Sequence, residues 1–324
     1  MDSPPMRLLP DGPSPSPVVL GIDFGGTKIA TAVCDLEGRR LATRVMDAEP
    51  ERGARAAFGR GVRGGQALLA EAAIGRPLAA VGVSTFGIPS EDGVALAPAI
   101  SGWEDIAMGR ELREAFAGTP VTMATDVKAA ALAEARWGAL AGADPGVYLN
   151  LGTGLAAAIV VGGRVLAGAN GAAGEIGYNL RQLADVGDGG YVPLEEAVSG
   201  RALSRLTGRP AAEAFAARAG TRLAAMADQF TAELAFHVVN LAISIDPVRI
   251  AVGGGMTGSW DRMRPRLEAA LDTAAPYRPE LVLASFPFDA PLVGALALAV
   301  EATGAARADD GVTHNRHTRE GAAL

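Results

Sequence analysis

Cysteine is nearly absent from this chain, which has Cys34 as its single cysteine among 324 residues. One cysteine excludes a disulfide within the chain and a zinc site built from several cysteines. Because Cys34 lies in the apolar run IATAVCDL, we expect a buried thiol rather than a reactive one.

The chain also has fewer positively charged residues than negatively charged ones. The chain has 29 lysines and arginines against 36 aspartates and glutamates, which gives a net charge of −7. This balance does not favour nucleic acid or an anionic membrane as a partner. The longest apolar run near the C terminus, APLVGALALAV at residues 290–300, is too short to cross a bilayer.

The two ends of the chain lack the features of targeting signals and of packed domains. Residues 1–17 are rich in proline and have no charged segment followed by an apolar one, so we expect a disordered lead-in rather than a signal peptide. Residues 305–324 mix charge, histidine and glycine without periodicity, and we expect a disordered tail there. The sequence therefore predicts a cytoplasmic protein.

Glycine is abundant, with 42 residues, and two units that contain it have the same layout. VVLGID at residues 18–23 is a predicted strand, followed by FGGT, a second strand KIATAVCD, a turn and a third strand. GVYLNL at residues 146–151 is followed in the same way by GTG, LAAAIVV, a GG turn and RVLAG. The repetition predicts an α/β protein of two duplicated lobes that face a cleft.

Each of these loops is suited to hold phosphate, because glycine lets backbone N–H groups approach an anion and threonine adds a hydroxyl donor. Neither loop has the GxxxxGK[ST] or the GxGxxG spacing, and taken singly each is equally typical of a hairpin turn. A third glycine cluster, RIAVGGGMTG at residues 249–258, follows a predicted helix at 230–245. We interpret His237, within that helix, as structural.

Asp126 lies where a predicted strand meets a predicted helix. The strand is VTMATD at residues 121–126, and the helix that follows ends at Gly138. Such junctions are common ligand contacts in α/β proteins. The alternative is that Thr125 or Asp126 only caps the helix.

Seven stretches, in the same order, resemble the ROK (repressor, open reading frame, kinase) group of sugar kinases. They are GIDFGGTKIATAV, VGVSTFGIP with SGW, TDVKAAALAEARWGA, LNLGTGLAAAIVVGGRVLAG, NGAAGEIGYN, LEEAVSGRAL and DPVRIAVGGG. The resemblance covers residues 18–304 and implies two actin-like (ribonuclease H-like) lobes around a cleft for ATP and sugar. It implies an N-terminal lobe at 18–125, joined by a returning helix at 289–304, and a C-terminal lobe at 126–288.

The resemblance also implies which residues hold ATP and its metal. These residues are Gly25, Gly26, Thr27 and Lys28 in a first phosphate loop, Gly152, Thr153 and Gly154 in a second, and Gly253, Gly254 and Gly255 beside the adenosine. Asp23 is implied to hold Mg²⁺ through water, so that the metal neutralises the phosphates.

In the same resemblance, Asp126 is the base that takes the proton of the sugar 6-hydroxyl, and Glu175 and Glu195 contact the sugar. Carboxylates that accept from hydroxyls discriminate well, because a missing hydroxyl leaves a polar group unpaired. We expect the helix N terminus to favour ionised Asp126, which weakens it as a base but keeps it ready to accept a hydrogen bond.

Three features depart from the family pattern. The histidine of GEIGH is Tyr178 here, the zinc-binding CxCGxxGC run is replaced by RQLADVGDGGYVPLEE, and the usual Asn-Asp pair is Thr125-Asp126. We therefore expect no structural zinc, and we expect the segment 181–195 to be held by other packing. Because Thr125 and Tyr178 are predicted sugar contacts, these changes favour a substrate other than plain glucose.

Several substrates and classes remain open. A hexose altered at carbon 3, such as the 3-amino sugar kanosamine of antibiotic biosynthesis, fits the change at Thr125, and glucose remains a candidate. A cationic sugar would have Asp126, Glu175 and Glu195 as carboxylate neighbours. VSTFGIP is similar to the N-acetylmannosamine kinase branch, which leaves a 2-substituted sugar as an alternative.

Two non-enzymatic classes are weaker alternatives. A sugar-responsive repressor needs a DNA-binding domain before the first strand, and 17 proline-rich residues precede Val18. A sugar sensor without catalysis is expected to lose Asp126 or a phosphate loop, and both are present. The resemblance further implies a homodimer.

Overall fold

The computed structural model describes residues 16–186 and 191–304. The predicted tail and residues 1–15 of the predicted lead-in lie outside the described residues. Within the described part of the chain, none of the helices combines the length and the apolar character that a bilayer crossing requires.

The described residues form twelve strands and eight α-helices. The strands are β1 (Val18–Phe24), β2 (Lys28–Asp35), β3 (Arg40–Asp47), β4 (Leu78–Thr85), β5 (Ile88–Pro89), β6 (Val94–Ala95), β7 (Val121–Thr125), β8 (Gly146–Leu151), β9 (Leu155–Val161), β10 (Arg164–Val165), β11 (Arg249–Gly253) and β12 (Glu280–Leu283). The helices are α1 (Ala54–Ala72), α2 (Met108–Ala115), α3 (Asp126–Trp137), α4 (Gly200–Thr207), α5 (Ala211–Ala216), α6 (Arg222–Ile245), α7 (Trp260–Ala274) and α8 (Ala290–Ala302).

Ten of these strands form two sheets with the same topology. The first has the order β3-β2-β1-β4-β7 and the second the order β10-β9-β8-β11-β12. In each sheet the first three strands of the chain pair antiparallel and the next two add in parallel. The sequence predicted a repeat of three strands in each unit. The structure repeats five, because two parallel strands are added in each sheet.

The first sheet is covered on both faces. On one face, α1 and α2 enclose an apolar core in which Phe24, Phe58 and Trp103 make ring contacts at centroid distances of 5.5–6.5 Å. On the other face, Leu292, Leu296 and other apolar residues of α8 pack against β1, β2 and β4. Strands buried on both faces read as continuous apolar runs, as VVLGIDF does.

The second sheet is enclosed in the same manner. Helices α4 to α7 contribute to the larger apolar core of the structure on one face, where Phe215 and Phe230 meet edge to face at 5.8 Å. Helix α3 packs on the other face, with Val127, Ala130 and Ala131 in one apolar cluster with Tyr148 of β8 and with Ala156 and Ala158 of β9.

Helices α3 and α8 lie against each other, and their backbones touch. A Cβ atom added to Gly294 of α8 would lie 1.9 Å from the carbonyl oxygen of Ala129 in α3. Gly82 of β4 allows α8 an equally close approach on its other side, since a Cβ there would lie 1.8 Å from the oxygen of Ala295. Helix α8 therefore connects the first sheet to the helix that covers the second.

Helix α6 is longer than the sequence pattern indicated. The predicted helix at 230–245 begins eight residues earlier, at Arg222, where the side chain of Thr221 accepts from the backbone N–H of Ala224. The apolar stripe that suggested the helix starts only at Phe230, because the first two turns are mostly polar or alanine. The cap at Thr221 therefore fixes the beginning of the helix.

Substitution of Gly294 by alanine tests the contact between α3 and α8. Alanine usually stabilises a helix relative to glycine, but here its methyl group meets a backbone carbonyl that cannot turn away. We expect Gly294→Ala to lower the free energy of unfolding by about 1–3 kcal/mol, as measured by urea denaturation. The control is Gly258→Ala, at a glycine with no heavy atom within 4 Å of an added Cβ. Equal stability of the two variants would contradict the prediction.

Candidate active site

Asp23 lies on β1 beside the parallel strand β4, with its Cα in register with that of Ser84. The Ser84 hydroxyl donates to Oδ1 of Asp23 at 2.8 Å, which fixes the orientation of the carboxyl group. Asp126 begins the helix after β7, the strand that continues the same parallel set. The carboxyl ends of β1, β4 and β7 thus bring the two aspartates to one edge of the sheet.

The predicted first phosphate loop is the tight connection between β1 and β2. The backbone N–H of Gly25 donates to the carbonyl of Lys28 at 2.9 Å, and a Cβ on Gly25 would lie 2.7 Å from that oxygen. Gly26 is partly buried, whereas Thr27 and Lys28 are exposed. Their side chains are therefore accessible to a ligand at this edge.

The predicted second phosphate loop, Gly152 to Gly154, accepts backbone hydrogen bonds from the N terminus of α4. The N–H of Gly200 donates to the carbonyl of Gly152 at 2.8 Å, and the N–H of Arg201 donates to that of Thr153 at 3.3 Å. Glycine is needed at 154 because a Cβ there would lie 2.4 Å from Oε2 of Glu195.

The glycines after β11 form part of a cavity of about 300 Å³. Gly254 has a φ of +93° and its Cβ would lie 2.5 Å from the carbonyl of Leu151, whereas Gly255 faces open space. The cavity is also lined by Asp126, Asn150, Phe286 and Phe288, among other residues. One cavity therefore connects the predicted base to the predicted adenosine segment.

Thr125 acts as the N-cap of α3, as the alternative reading of this junction proposed. Its hydroxyl accepts from the backbone N–H of Lys128 at 3.2 Å, and the residue is only 4% exposed. Asp126 follows as the first helical residue, and its Oδ1 accepts from the N–H of Val127 at 2.8 Å. Thr125 therefore caps the helix, and Asp126 lies at the wall of the cavity.

Burial raises the pKa of Asp126 to about 6. The hydrogen bond from Val127 lowers this pKa, in the direction expected for a helix N terminus, while the charge of Glu175 raises it. The expectation that the helix N terminus dominates is therefore wrong, because the cost of burying the charge is larger. A carboxyl group with such a pKa is ionised at pH 7 yet remains a useful base.

Burial also raises the pKa of Asp23, to about 7. The hydrogen bond from Ser84 lowers the pKa, and the charge of Asp126 raises it further. Two carboxyl groups that repel each other at the end of a sheet suit a cation, which would favour the ionised form of both. Asp23 thus fits a Mg²⁺ site.

The two predicted sugar glutamates already have cationic partners. Oε1 of Glu175 lies 3.7 Å from the ammonium nitrogen of Lys128. Glu195 accepts from Arg201 at 2.8 Å through Oε1 and from the N–H of Leu155 at 2.8 Å through Oε2. Three carboxylates were expected beside a cationic sugar. Within the described residues, Glu175 and Glu195 form ion pairs and Asp126 does not.

Tyr178 lies in a short 3-10 turn next to Glu175 and is 48% exposed. Its phenol group has a raised pKa because of burial and the charges of Glu175 and Glu195. The tyrosine thus lies close to both glutamates, with half of its surface accessible to a ligand.

The segment predicted to lack zinc, residues 181–195, is described except for residues 187–190, and its beginning is attached to α6. Arg181 forms an ion pair with Glu233, and the amide nitrogen of Asn179 lies 3.5 Å from Nδ1 of the buried His237. At its other end, the N–H of Leu194 donates to the carbonyl of Asn179 at 3.2 Å. Residues 16–186 and 191–304 contain no group of three His, Cys, Asp or Glu side chains suited to a metal, and the absence of zinc stays a prediction.

Sequence reasoning missed three polar residues that the structure places at the site. Ser84 orients Asp23, Lys128 lies beside Glu175, and the fully buried Glu134 accepts from the N–H groups of Ser285 and Phe286. Glu134 thereby fixes the loop that lines the cavity. The available signal was a charged residue on the buried side of α3, in the run VKAAALAEARW.

The chain is similar to known proteins over most of its length. A family model described as "ROK family" matches residues 19–302. The bifunctional enzyme NanE/NanK of Brucella melitensis is 32% identical over 301 residues, which cover 88% of this chain and 54% of that protein. The chain thus spans about half the length of that curated relative.

Two other similar proteins are matched over most of their own length. The kanosamine kinase of Amycolatopsis mediterranei is 31% identical over 274 residues, or 79% of this chain and 86% of that protein. The crystal structure of a ROK family glucokinase from Streptomyces griseus, in complex with glucose and AMPPNP, is 30% identical with a TM-score of 0.67. It covers 88% of this chain and 99% of that chain. The predicted fold class is confirmed.

The raised pKa of Asp23 predicts a pH-dependent effect of Asp23→Asn. A carboxyl group whose pKa rises from 3.8 to about 7 on folding destabilises the fold as pH increases through that range. We therefore expect the variant, without Mg²⁺, to match the wild type near pH 4 and to exceed its stability above pH 7 by on the order of a few kcal/mol.

Thermal unfolding between pH 4 and pH 8 measures this difference. Asp92→Asn serves as a control, because Asp92 is exposed and its ion pair joins it only to Arg110, which is also exposed. A stability difference between Asp23→Asn and wild type that does not vary with pH would contradict the prediction.

Proposed function

This chain belongs to the ROK family of sugar kinases, and from this premise we propose that it transfers the γ-phosphoryl group of ATP to the 6-hydroxyl of a hexose, with Asp126 as the base. The observation that carries the proposal is the position of Asp126. Its carboxyl group lies at a helix N terminus, on the wall of the cavity that also contains Gly254 and Gly255.

Three glycine-containing segments are proposed to hold ATP. The loop at Gly25 to Lys28 and the loop at Gly152 to Gly154 end equivalent strands of the two sheets, and both would donate backbone N–H groups to phosphate. The open space at Gly255 leaves room for the nucleoside. The Streptomyces griseus glucokinase was solved with the ATP analogue AMPPNP, which supports ATP as the donor here.

Asp23 is proposed to hold Mg²⁺ through water. When bound, the metal would neutralise charge on the phosphates of ATP. Ser84 keeps the Asp23 carboxyl group in place through its hydrogen bond to Oδ1. The charge of Asp126 raises the pKa of Asp23, and a bound Mg²⁺ would oppose this effect.

Asp126 is proposed to orient the sugar hydroxyl and to accept its proton. The hydrogen bond from Val127 fixes the carboxylate, so the hydroxyl binds to a group that is already in position. Phosphoryl transfer depends mainly on such positioning, and the proton moves to the carboxylate as the new bond forms. Glu175, Glu195 and Tyr178 are proposed to bind the remainder of the sugar.

An amino-hexose is the second candidate for the substrate. The 31% identity to a kanosamine kinase over 79% of the chain supports it. The pairing of Glu175 with Lys128 and of Glu195 with Arg201 favours a neutral sugar instead, because two of the three carboxylates are already compensated. N-acetylmannosamine remains a further alternative, and a homodimer in the cytoplasm stays a prediction.

ADP release by the purified protein with Mg-ATP and a panel of hexoses tests the proposal. The panel contains glucose, mannose, fructose, glucosamine, N-acetylmannosamine, N-acetylglucosamine and kanosamine. We expect activity on at least one sugar and a loss of about 10²–10⁴-fold in kcat for Asp126→Asn, the range for a general base. Asp92→Asn is the matched control for the change of charge. An Asp126→Asn enzyme with full activity, or no activity of the wild type on any sugar, would overturn the proposal.

The pKa of Asp126 predicts the acidic limb of the pH profile. Because the ionised form is the active one, kcat/KM should fall as pH decreases through about 6, by about tenfold for each further pH unit. Initial rates between pH 5 and pH 8 at saturating Mg-ATP measure this limb. A profile that stays flat down to pH 5 would show that Asp126 does not act as the base.

A further inference from the structure

Lys128 has a buried ammonium group that forms no hydrogen bond within the described residues. Its side chain is 7% exposed, and its Nζ atom has no hydrogen-bond partner in this part of the chain. The nearest carboxylate oxygen, Oε1 of Glu175, lies 3.7 Å away, which is too far for a hydrogen bond. None of the three N–H donors of this ammonium group therefore has an acceptor within the described residues.

Such an arrangement is costly for a folded protein. A buried ammonium group without hydrogen bonds loses its hydration, and an ion pair compensates this loss only with close contacts. Burial accordingly lowers the pKa of Lys128, while Glu175 and Asp126 act in the opposite direction. A ligand that supplies acceptor oxygens would remove this cost.

Lys128 lies between the two groups to which the proposed function assigns the sugar. It follows Asp126 by two residues on α3, and its backbone N–H is fixed by the cap at Thr125. Its ammonium group faces Glu175, whose charge in turn acts on Asp126. The free donors thus lie in the corner of the site between Asp126 and Glu175.

The choice of lysine is itself unusual in this chain. Lysine occurs only at residues 28 and 128, and every other basic residue among the 29 is arginine. Among the described residues, the ion pairs of Glu195, Glu233 and the carboxylates other than Glu175 use arginine, whose fork can bind a carboxylate in two places. At residue 128 the chain has instead a compact point charge with three donors.

We propose that Lys128 is a specificity-determining residue, which donates a hydrogen bond to a hydroxyl oxygen of the sugar and disfavours sugars that carry an ammonium group in that corner. The proposal rests on the proposed kinase function. A hydroxyl group can accept from Lys128 and donate to Glu175 at the same time. A protonated amine cannot accept, so it leaves Lys128 unpaired and adds a like charge beside it.

Kinetics of Lys128→Met test this role. Methionine has nearly the same length, and an apolar replacement of a buried ion is often tolerated. We expect KM for the preferred neutral hexose to rise by about 10- to 100-fold with a smaller change in kcat, as for a lost hydrogen bond to a charged group. The kcat/KM ratio of the 3-amino or 2-amino analogue to the neutral sugar should rise by about tenfold or more.

A second measurement does not depend on catalysis. Because the chain has two lysines, protein labelled with ¹³C and ¹⁵N lysine gives two side-chain signals, and the signal missing from Lys128→Met identifies Lys128. We expect the neutral sugar to shift the Lys128 signal at saturation without ATP. The Lys28 signal, from the exposed phosphate loop, serves as the internal control.

The outcomes separate this proposal from the function itself. No ADP release by the wild type on any sugar would overturn the proposed function. An active wild type whose selectivity ratio is unchanged by Lys128→Met, or whose Lys128 signal does not move with sugar, would overturn the role of Lys128. A fall in kcat alone, equal for neutral and amino sugars, would likewise assign Lys128 a purely structural role.

Discussion

Helices α3 and α8 touch through their backbones at Ala129 and Gly294, and this contact determines where the groups of the cleft lie. Helix α8 packs on the first sheet, while α3 packs on the second. The N terminus of α3 carries Asp126, so the proposed base lies at the junction of the two sheets. Glu134, farther along α3, holds the loop that precedes α8. One helix pair thus positions both the base and one wall of the cavity.

The electrostatics of the cleft depend on burial more than on local helix geometry. The hydrogen bond from Val127 acts on Asp126 as a helix N terminus should, yet the pKa rises because the carboxyl group loses hydration. Asp23 follows the same rule, and the charge of Asp126 raises its pKa further. The site is therefore suited to a cation, and among the described residues Lys128 and Arg201 lie next to the glutamates.

Sequence reasoning could predict features that depend on neighbouring residues. The two glycine loops, the strand predicted at 121–126 and the helix that ends before Gly138 are all local patterns, and the structure contains each of them, with the strand ending one residue earlier, at Thr125. The pairing of Lys128 with Glu175 and of Arg201 with Glu195 could not be predicted, because the first pair is 47 residues apart in the chain and depends on how a loop folds back. The direction of the pKa shift at Asp126 could not be predicted either, because it depends on how deeply the carboxyl group is buried, and no local sequence pattern shows this.

The contacts of the residues that depart from the family pattern change what these residues indicate about the sugar. Thr125 first indicated an altered sugar, but its hydroxyl caps α3 and little of its surface is exposed. Tyr178 keeps half of its surface accessible, and the ammonium group of Lys128 has no hydrogen-bond acceptor in the part of the chain that the structure describes. A hydroxyl group satisfies both Lys128 and Glu175, whereas an ammonium group satisfies only Glu175. The identity to a kanosamine kinase supports an amino sugar, whereas the buried ammonium group of Lys128 favours a neutral one, because a second ammonium group beside it would add to the cost of its burial.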